Sequence, residues 1–282
     1  QSDATYGLAA VSHRANGATE YIHDSNAGEG TFAYVVDSGV RATHNEFEVR
    51  AEQAYTAYLI DHLDLVGHGT HVAGTIAGKT YGVAKKATIR AVKVFQGPST
   101  STAIILKGFN WAVNDIVSKG IQNKSIINMS LGGSRSDAVN DAVENAAVAG
   151  GLSVVAAGNE QADAAGVSPA SASSAITVGA TNSSWEFAST YSNWGETVDI
   201  LAPGTAVKSA WIYTDSSTRS ISGTSMASPH IAGLALYATS VDGISGLQAV
   251  TDHLVNTATK DAISGDRRGA PNQLGNNNNP KQ

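Results

Sequence analysis

Six short apolar runs, at 31–36, 89–95, 125–131, 152–157, 175–178 and 198–201, recur along the chain with little polar alternation. Runs of four to seven β-branched and aliphatic residues without a period of two suit strands buried on both faces. Helical patterns lie between several of them. In 103–118 the pairs Ile104/Ile105, Gly108/Phe109, Ala112/Val113 and Ile116/Val117 return every four residues, which draws one apolar stripe. The segment 137–149 repeats this with Val139, Ala142/Val143 and Ala146/Ala147, and it stops at Gly150-Gly151. Strand and helix in alternation predict an α/β fold, a mainly parallel central sheet with helices on both faces. No repeat or linker divides the chain, so residues 1–282 read as one domain. The pattern loosens after residue 182 and sharpens again in an apolar helix over 224–240. The asparagine run opening 276–282 is expected to be a loose tail.

Composition narrows the class. Hydrophobic residues make up 42% and charged residues only 15%, with 29 glycines that follow no fixed period. That is too apolar for disorder and too irregular for collagen. Eighteen Lys and Arg against 24 Asp and Glu give a net charge of −6, so no basic face for nucleic acid is expected. No apolar stretch approaches the ~20 residues of a bilayer span. Zero cysteines remove disulfides, thiolate zinc sites and cysteine nucleophiles together.

Chemistry in an open α/β sheet gathers at the carboxyl ends of its strands. One such end carries Asp37-Ser38-Gly39 and another Gly158-Asn159. Two glycine-bounded blocks, Gly67-His68-Gly69-Thr70-His71 and Gly223-Thr224-Ser225-Met226-Ala227, each open a helix. A serine hydroxyl is a poor nucleophile at neutral pH until an imidazole takes its proton. The imidazole in turn needs a carboxylate to fix its tautomer. Ser, His and Asp occur in any chain of this length, and a Gly-x-Ser turn is also a phosphate cradle or a helix cap. Order and context together favour the catalytic reading, and order removes the α/β-hydrolase one. Asp37, His68 and Ser225 run Asp…His…Ser, whereas the α/β-hydrolase order is Ser…Asp…His, and the second glycine of that elbow is missing. Spacing alone does not exclude His71, three residues beyond His68.

These three blocks, extended through Val72-Ala73-Gly74 and Ser228-Pro229-His230, resemble the signature blocks of the subtilisin-like serine proteases. From Tyr6 to about Asn272 the chain is similar to the secreted fungal branch of the proteinase K family, in particular at Tyr81-Gly82-Val83-Ala84-Lys85-Lys86 and Asn128-Met129-Ser130-Leu131-Gly132-Gly133. The resemblance implies a secreted, monomeric serine endopeptidase with Ser225 as nucleophile, His68 as general base and acid, and Asp37 as the orienting carboxylate. It makes His71 and His230 structural. The oxyanion hole falls to the Asn159 side chain and the Ser225 backbone N–H. Substrate is expected to add as a β-strand between Gly97, Pro98, Ser99, Thr100, Ser101 and Ser130, Leu131, Gly132, Gly133. The pocket before the cut is expected to be walled by the second stretch with Ala156, Ala157 and Gly158. Small walls without an acidic residue imply broad selectivity for bulky apolar or aromatic residues.

The family also implies a structural Ca²⁺ held by the Asp199 carboxylate and the carbonyls of Ser173 and Ala175, oxygen ligands that suit this ion. Ser173 stands where the branch carries proline. Leu65-Val66 stands where it carries polar residues, which bears on the rim of the site. Expected partners are protein and peptide substrates, proteinaceous inhibitors and the enzyme's own propeptide, with no nucleic acid and no membrane. Sequons occur at Asn123, Asn128 and Asn182, of which Asn128 falls in a buried strand.

Overall fold

The computed structural model describes residues 1–59 and 62–282. Strand β1 (Phe32–Asp37) lies inside a nine-stranded sheet whose other long members are β2 (Ala51–Thr56), β3 (Thr88–Lys93), β4 (Ser125–Met129), β6 (Leu152–Ala156), β8 (Ile176–Thr181) and β9 (Ile200–Pro203). Two-residue strands β5 (Gly133–Ser134) and β7 (Val167–Ser168) pair with each other. A hairpin of β10 (Val207–Ala210) and β11 (Thr218–Ile221) stands apart, and β12 (Thr259–Lys260) and β13 (Gln273–Leu274) close one edge. The sheet order is β12-β13-β9-β8-β6-β4-β1-β3-β2, and every neighbour is parallel except β12 with β13. The chain winds outward in opposite directions from β1, so the crevice between β1 and β4 is the topological switch point.

The helices are α1 (Tyr6–Ala10), α2 (His68–Ala77), α3 (Thr102–Lys119), α4 (Asp137–Val148), α5 (Thr224–Val241) and α6 (Leu247–Thr257). Successive strand residues face opposite layers. Ala33 and Val35 of β1, Ile126 of β4 and Val154 of β6 join Val72 and Ile76 of α2 and Ile231 and Leu234 of α5 in one core. Tyr34, Val36, Ile127, Met129 and Val155 point the other way, to Phe109, Ala112 and Ile116 of α3 and Val143 of α4. Helix α5 is buried almost throughout, from Met226 to Ala238, which explains why its apolar residues surround the whole axis. The expected α/β architecture is therefore the observed one. No helix among the described residues is long and apolar enough to cross a membrane.

Two expectations change. Strand β2 has no counterpart in the sequence reading, because an edge strand with Glu52 and Gln53 at its start is half-exposed and carries no clean apolar run. The expected loose tail is docked: Asn276, Asn277 and Asn279 are buried. Asn277 donates from its backbone to Val11 O at 2.8 Å and from Nδ2 to Ile22 O at 2.7 Å. Asn276 Nδ2 donates to His13 O at 3.0 Å, and Asn279 Nδ2 to Asp24 Oδ2 at 2.8 Å. Each amide both donates and accepts, so an asparagine run that looks low in complexity satisfies the carbonyls of segment 11–24.

Candidate active site

Asp37, the last residue of β1, is 2% exposed at the carboxyl edge of the sheet. His68 opens α2, and its Nδ1 lies 2.9 Å from both Oδ1 and Oδ2 of Asp37. A carboxylate only accepts, so Nδ1 carries the proton and Nε2 keeps its lone pair. Burial pulls the imidazolium pKa down. The Asp37 charge, its hydrogen bond and the charge of Asp64 outweigh this and raise the pKa above the usual 6.5.

Asp64 escaped the sequence reading. It is 7% exposed. Its Oδ1 accepts from Ser38 Oγ at 2.9 Å, Val66 N at 3.0 Å and Gly67 N at 2.8 Å. Its Oδ2 accepts from Thr70 N at 3.0 Å and Thr70 Oγ1 at 2.7 Å. Gly67 gives α2 no side-chain cap, and Asp64 fills that role from three residues upstream. An acidic residue just ahead of a helix start was the available signal. Ser38 ties the two carboxylates together, with its N–H on Asp37 Oδ1 at 2.7 Å and its hydroxyl on Asp64.

Ser225 is the second residue of α5, at the positive end of an 18-residue helix. Its Oγ donates to Ser130 O at 3.1 Å, and no hydrogen bond joins it to His68 among the described residues. Rotation about χ1 is the motion that would turn this hydroxyl toward Nε2; such contacts often tighten only when substrate binds. Pro229 has no N–H for the carbonyl four residues back, which is that of Ser225. Ser130 Oγ supplies the missing donor at 2.9 Å. Asn128 Nδ2 donates in turn to Ser130 Oγ at 2.9 Å, and Ser228 Oγ to Asn128 Oδ1 at 2.9 Å. This buried chain pins the start of α5 to the end of β4. It also occupies both ends of the Asn128 amide, leaving that sequon no free side chain.

Asn159 follows β6 and is exposed, with its Oδ1 accepting from Thr224 N at 2.8 Å and Thr224 Oγ1 at 3.1 Å. Nδ2 makes no protein hydrogen bond among the described residues. A Cβ placed on Gly223 would lie 3.7 Å from Asn159 Nδ2 and 3.7 Å from Ser225 N. The Asn159 amide, with Oδ1 nearest at 3.6 Å, and the Ser225 N–H thus both approach the side-chain position of Gly223, a residue at φ +153°.

Beside His68 lies a cleft of about 270 Å³ lined by Asp37, Ser38, Val66, His68, Phe95, Gly97, Pro98, Ser130, Leu131 and Gly132. It brings the two expected edges together through Gly97 and Pro98 on one side and Ser130, Leu131 and Gly132 on the other. Ser99, Thr100, Ser101, Gly133, Ala156, Ala157 and Gly158 lie outside that lining. The Ser101 hydroxyl caps α3 by accepting from Ile104 N at 3.3 Å, and Thr100 Oγ1 meets Tyr58 OH at 3.2 Å. Val66, expected at the rim, is in the lining, and Phe95 is a lining residue the sequence reading did not place there. Leu65 points outward, 62% exposed.

The other two histidines near the site are committed elsewhere. His71 Nε2 reaches Val207 O at 3.0 Å and Arg219 O at 3.1 Å, fastening the β10–β11 hairpin, and His230 Nδ1 bonds Met226 O at 2.8 Å. Burial lowers both to about 4, so they are neutral at physiological pH.

Asp199 accepts from Thr177 N at 2.7 Å and pairs with no Lys, Arg or His among the described residues. Burial lifts its pKa to about 6 against that hydrogen bond. A carboxylate without a counter-charge fits a divalent cation. The Ser173–Ser174 turn is tied down by Glu144 Oε1, which accepts from Ser173 Oγ at 2.9 Å and Ser174 N at 3.2 Å.

Parallel-sheet architecture, a carboxylate–imidazole pair and a helix-opening serine define a subtilisin-like serine protease. Known proteins agree. The model of the subtilase family (Peptidase S8) matches residues 28–277. Alkaline protease 1 of Aspergillus flavus is 58% identical over 99% of this chain and 69% of that protein. The alkaline proteinase of Hapsidospora chrysogena is 53% identical over 96% of this chain and 67% of that protein. The crystal structure of a cold-adapted subtilisin-like serine proteinase superposes with a TM-score of 0.89 at 40% identity, covering 97% of this chain and 98% of that one. The chain belongs to the subtilase family and is a serine endopeptidase.

Proposed function

We propose that the enzyme is a secreted, monomeric endopeptidase of broad specificity, preferring bulky apolar or aromatic residues before the cut, and that it works through an acyl-enzyme on Ser225. Ser225 Oγ bonds to the scissile carbonyl carbon as its proton passes to His68 Nε2. Asp37 holds the imidazole in the required tautomer and stabilises its charged form. The oxyanion settles between Asn159 Nδ2 and the Ser225 N–H. His68 then gives its proton to the leaving amine as the C–N bond breaks, and water repeats the sequence on the ester. The observation that carries this reading is the contact of His68 Nδ1 with both Asp37 oxygens at 2.9 Å, because it leaves Nε2 as the base.

The apolar preference is supported by the wall that the cleft shares with the expected pocket, Leu131 beside Gly132, which carries no acidic side chain. Such walls discriminate neighbouring aliphatic residues only ~10- to 200-fold, hence the breadth. Secretion and a propeptide partner are supported by the likeness to fungal alkaline proteases, this chain covering 69% of the Aspergillus flavus protein. A Ca²⁺ ion held by Asp199 with the Ser173 and Ala175 carbonyls would supply the counter-charge that Asp199 lacks. Of the remaining sequons, Asn123 is exposed and its side chain makes no hydrogen bond among the described residues, whereas Asn182 donates its Nδ2 to Glu186 Oε2 at 3.2 Å. Cleavage of a peptide-amide series varied at the residue before the cut tests the specificity: Phe, Leu and Tyr are expected to exceed Lys and Asp in kcat/KM, and a preference for Lys or Asp would overturn it.

A further inference from the structure

The oxyanion donor sits on an exposed turn after β6, where nothing in its own sequence makes it rigid. Its turn is hydrogen-bonded by a residue more than thirty positions on. Asn193 is fully buried, and its amide uses all four hydrogen-bonding positions on the turn that carries Asn159. Nδ2 donates to Ala157 O at 3.0 Å and to Glu160 Oε2 at 2.7 Å. Oδ1 accepts from Glu160 N at 2.9 Å and Ala162 N at 3.0 Å. The Asn193 backbone N–H adds a bond to Gly158 O at 3.0 Å. These contacts bracket Asn159 on both sides. Fit is tight as well: Gly158 has φ +104°, and a Cβ there would stand 2.3 Å from Asn193 Nδ2.

We propose that Asn193 is the positioning residue of the oxyanion hole, fixing the backbone of Asn159 while Thr224 fixes its side-chain oxygen, so that Nδ2 is aimed before substrate arrives. The inference rests on the reading of Asn159 as an oxyanion donor. Its physical content is preorganisation: a donor held in place needs no reorganisation as charge develops, and a displacement of about 1 Å at such a group costs ~100-fold in rate. No other residue type of this size presents two donors and two acceptors from one planar group. Aspartate keeps the shape but sets a carboxylate oxygen against Ala157 O and Glu160 Oε2.

A double-mutant cycle on the mature enzyme tests it, with parent, Asn159→Ala, Asn193→Asp and the double variant assayed on one chromogenic peptide amide. The kcat is taken per active site titrated with a serine-directed inhibitor, and folding is checked by circular dichroism. Asn159→Ala is expected to lower kcat ~100- to 1,000-fold. Asn193→Asp is expected to lower it ~10- to 100-fold with KM held within about twofold, and by less than ~3-fold once Asn159 is already alanine. The proposal is overturned if Asn193→Asp leaves kcat within ~3-fold of the parent, or costs the same factor in both backgrounds, as a merely structural role would. If Asn159→Ala alone leaves kcat unchanged, the oxyanion reading itself fails and takes the proposal with it, and that single variant tells the two failures apart. Should Asn193→Asp not fold, Glu160→Ala enters the same cycle, removing only the outer partner of Nδ2. A ~3- to 10-fold loss of kcat confined to the Asn159 background is then expected, and no loss or an equal loss in both overturns the proposal.

Discussion

Replacing Asp199 by asparagine separates the cost of a half-buried charge from the benefit of a metal. Burial moves this carboxyl from 3.8 to about 6. A carboxyl raised on folding binds its proton more tightly in the native state, so stability is lost as pH rises through that interval and stays lost above it. The loss amounts to about 3 kcal/mol, at ~1.4 kcal/mol for each pH unit between the two values. In chelator at pH 8, Asp199→Asn is therefore expected to be more stable than the parent by up to about 3 kcal/mol, or roughly 6 °C in Tm for a chain of this size. Near pH 4 the difference should vanish. Calcium should reverse the order at pH 8, because the cation compensates the parent's carboxylate and finds none in the variant. Thermal unfolding of sulfonyl-fluoride-inactivated protein, with chelator and with calcium, reads all of this without self-digestion. A variant less stable than the parent in chelator at pH 8 would refute the buried-charge argument. Equal stabilisation of both by calcium would place the metal elsewhere.

Other expectations follow from the same geometry. Asp64→Asn removes one of the charges that raise His68, so the acid limb of kcat/KM should move to lower pH, and an unmoved limb in a folded variant contradicts the assignment. Gly223→Ala puts a methyl group 3.7 Å from Asn159 Nδ2 and Ser225 N, the proposed oxyanion donors, at a backbone conformation that disfavours a side chain. It should lower kcat at least ~100-fold with little change in KM, measured on peptide amides. Ending the chain after Gly275 strips Val11 O, His13 O, Ile22 O and Asp24 of four tail partners. At about 1 kcal/mol for each buried hydrogen bond, a loss near 4 kcal/mol in denaturant unfolding is expected.

What could be read ahead of the structure was whatever is local in the chain. Short apolar runs announced β1, β3, β4, β6, β8 and β9, because a strand buried on both faces must be apolar throughout. The Asp37, His68 and Ser225 blocks stood out because glycines and small residues crowd the strand ends and helix starts that present them. What escaped was long-range polar pairing. Asn128, Asp64 and Asn193 are ordinary polar letters in sequence. Their importance comes from partners 100 positions away for Asn128 with Ser228, 26 for Asp64 with Ser38, and more than 30 for Asn193 with the Asn159 turn. The tail was misjudged for the same reason, since asparagine composition reports polarity and not where the amides bond.

The most direct test of the central claim is intact-mass labelling with phenylmethanesulfonyl fluoride, run beside casein cleavage from pH 6 to 10. A single adduct mapped to Ser225, with cleavage lost in proportion to labelling and rising through the pH at which His68 deprotonates, is the predicted result. No adduct on the folded protein, or an adduct on another residue with cleavage intact, would contradict it.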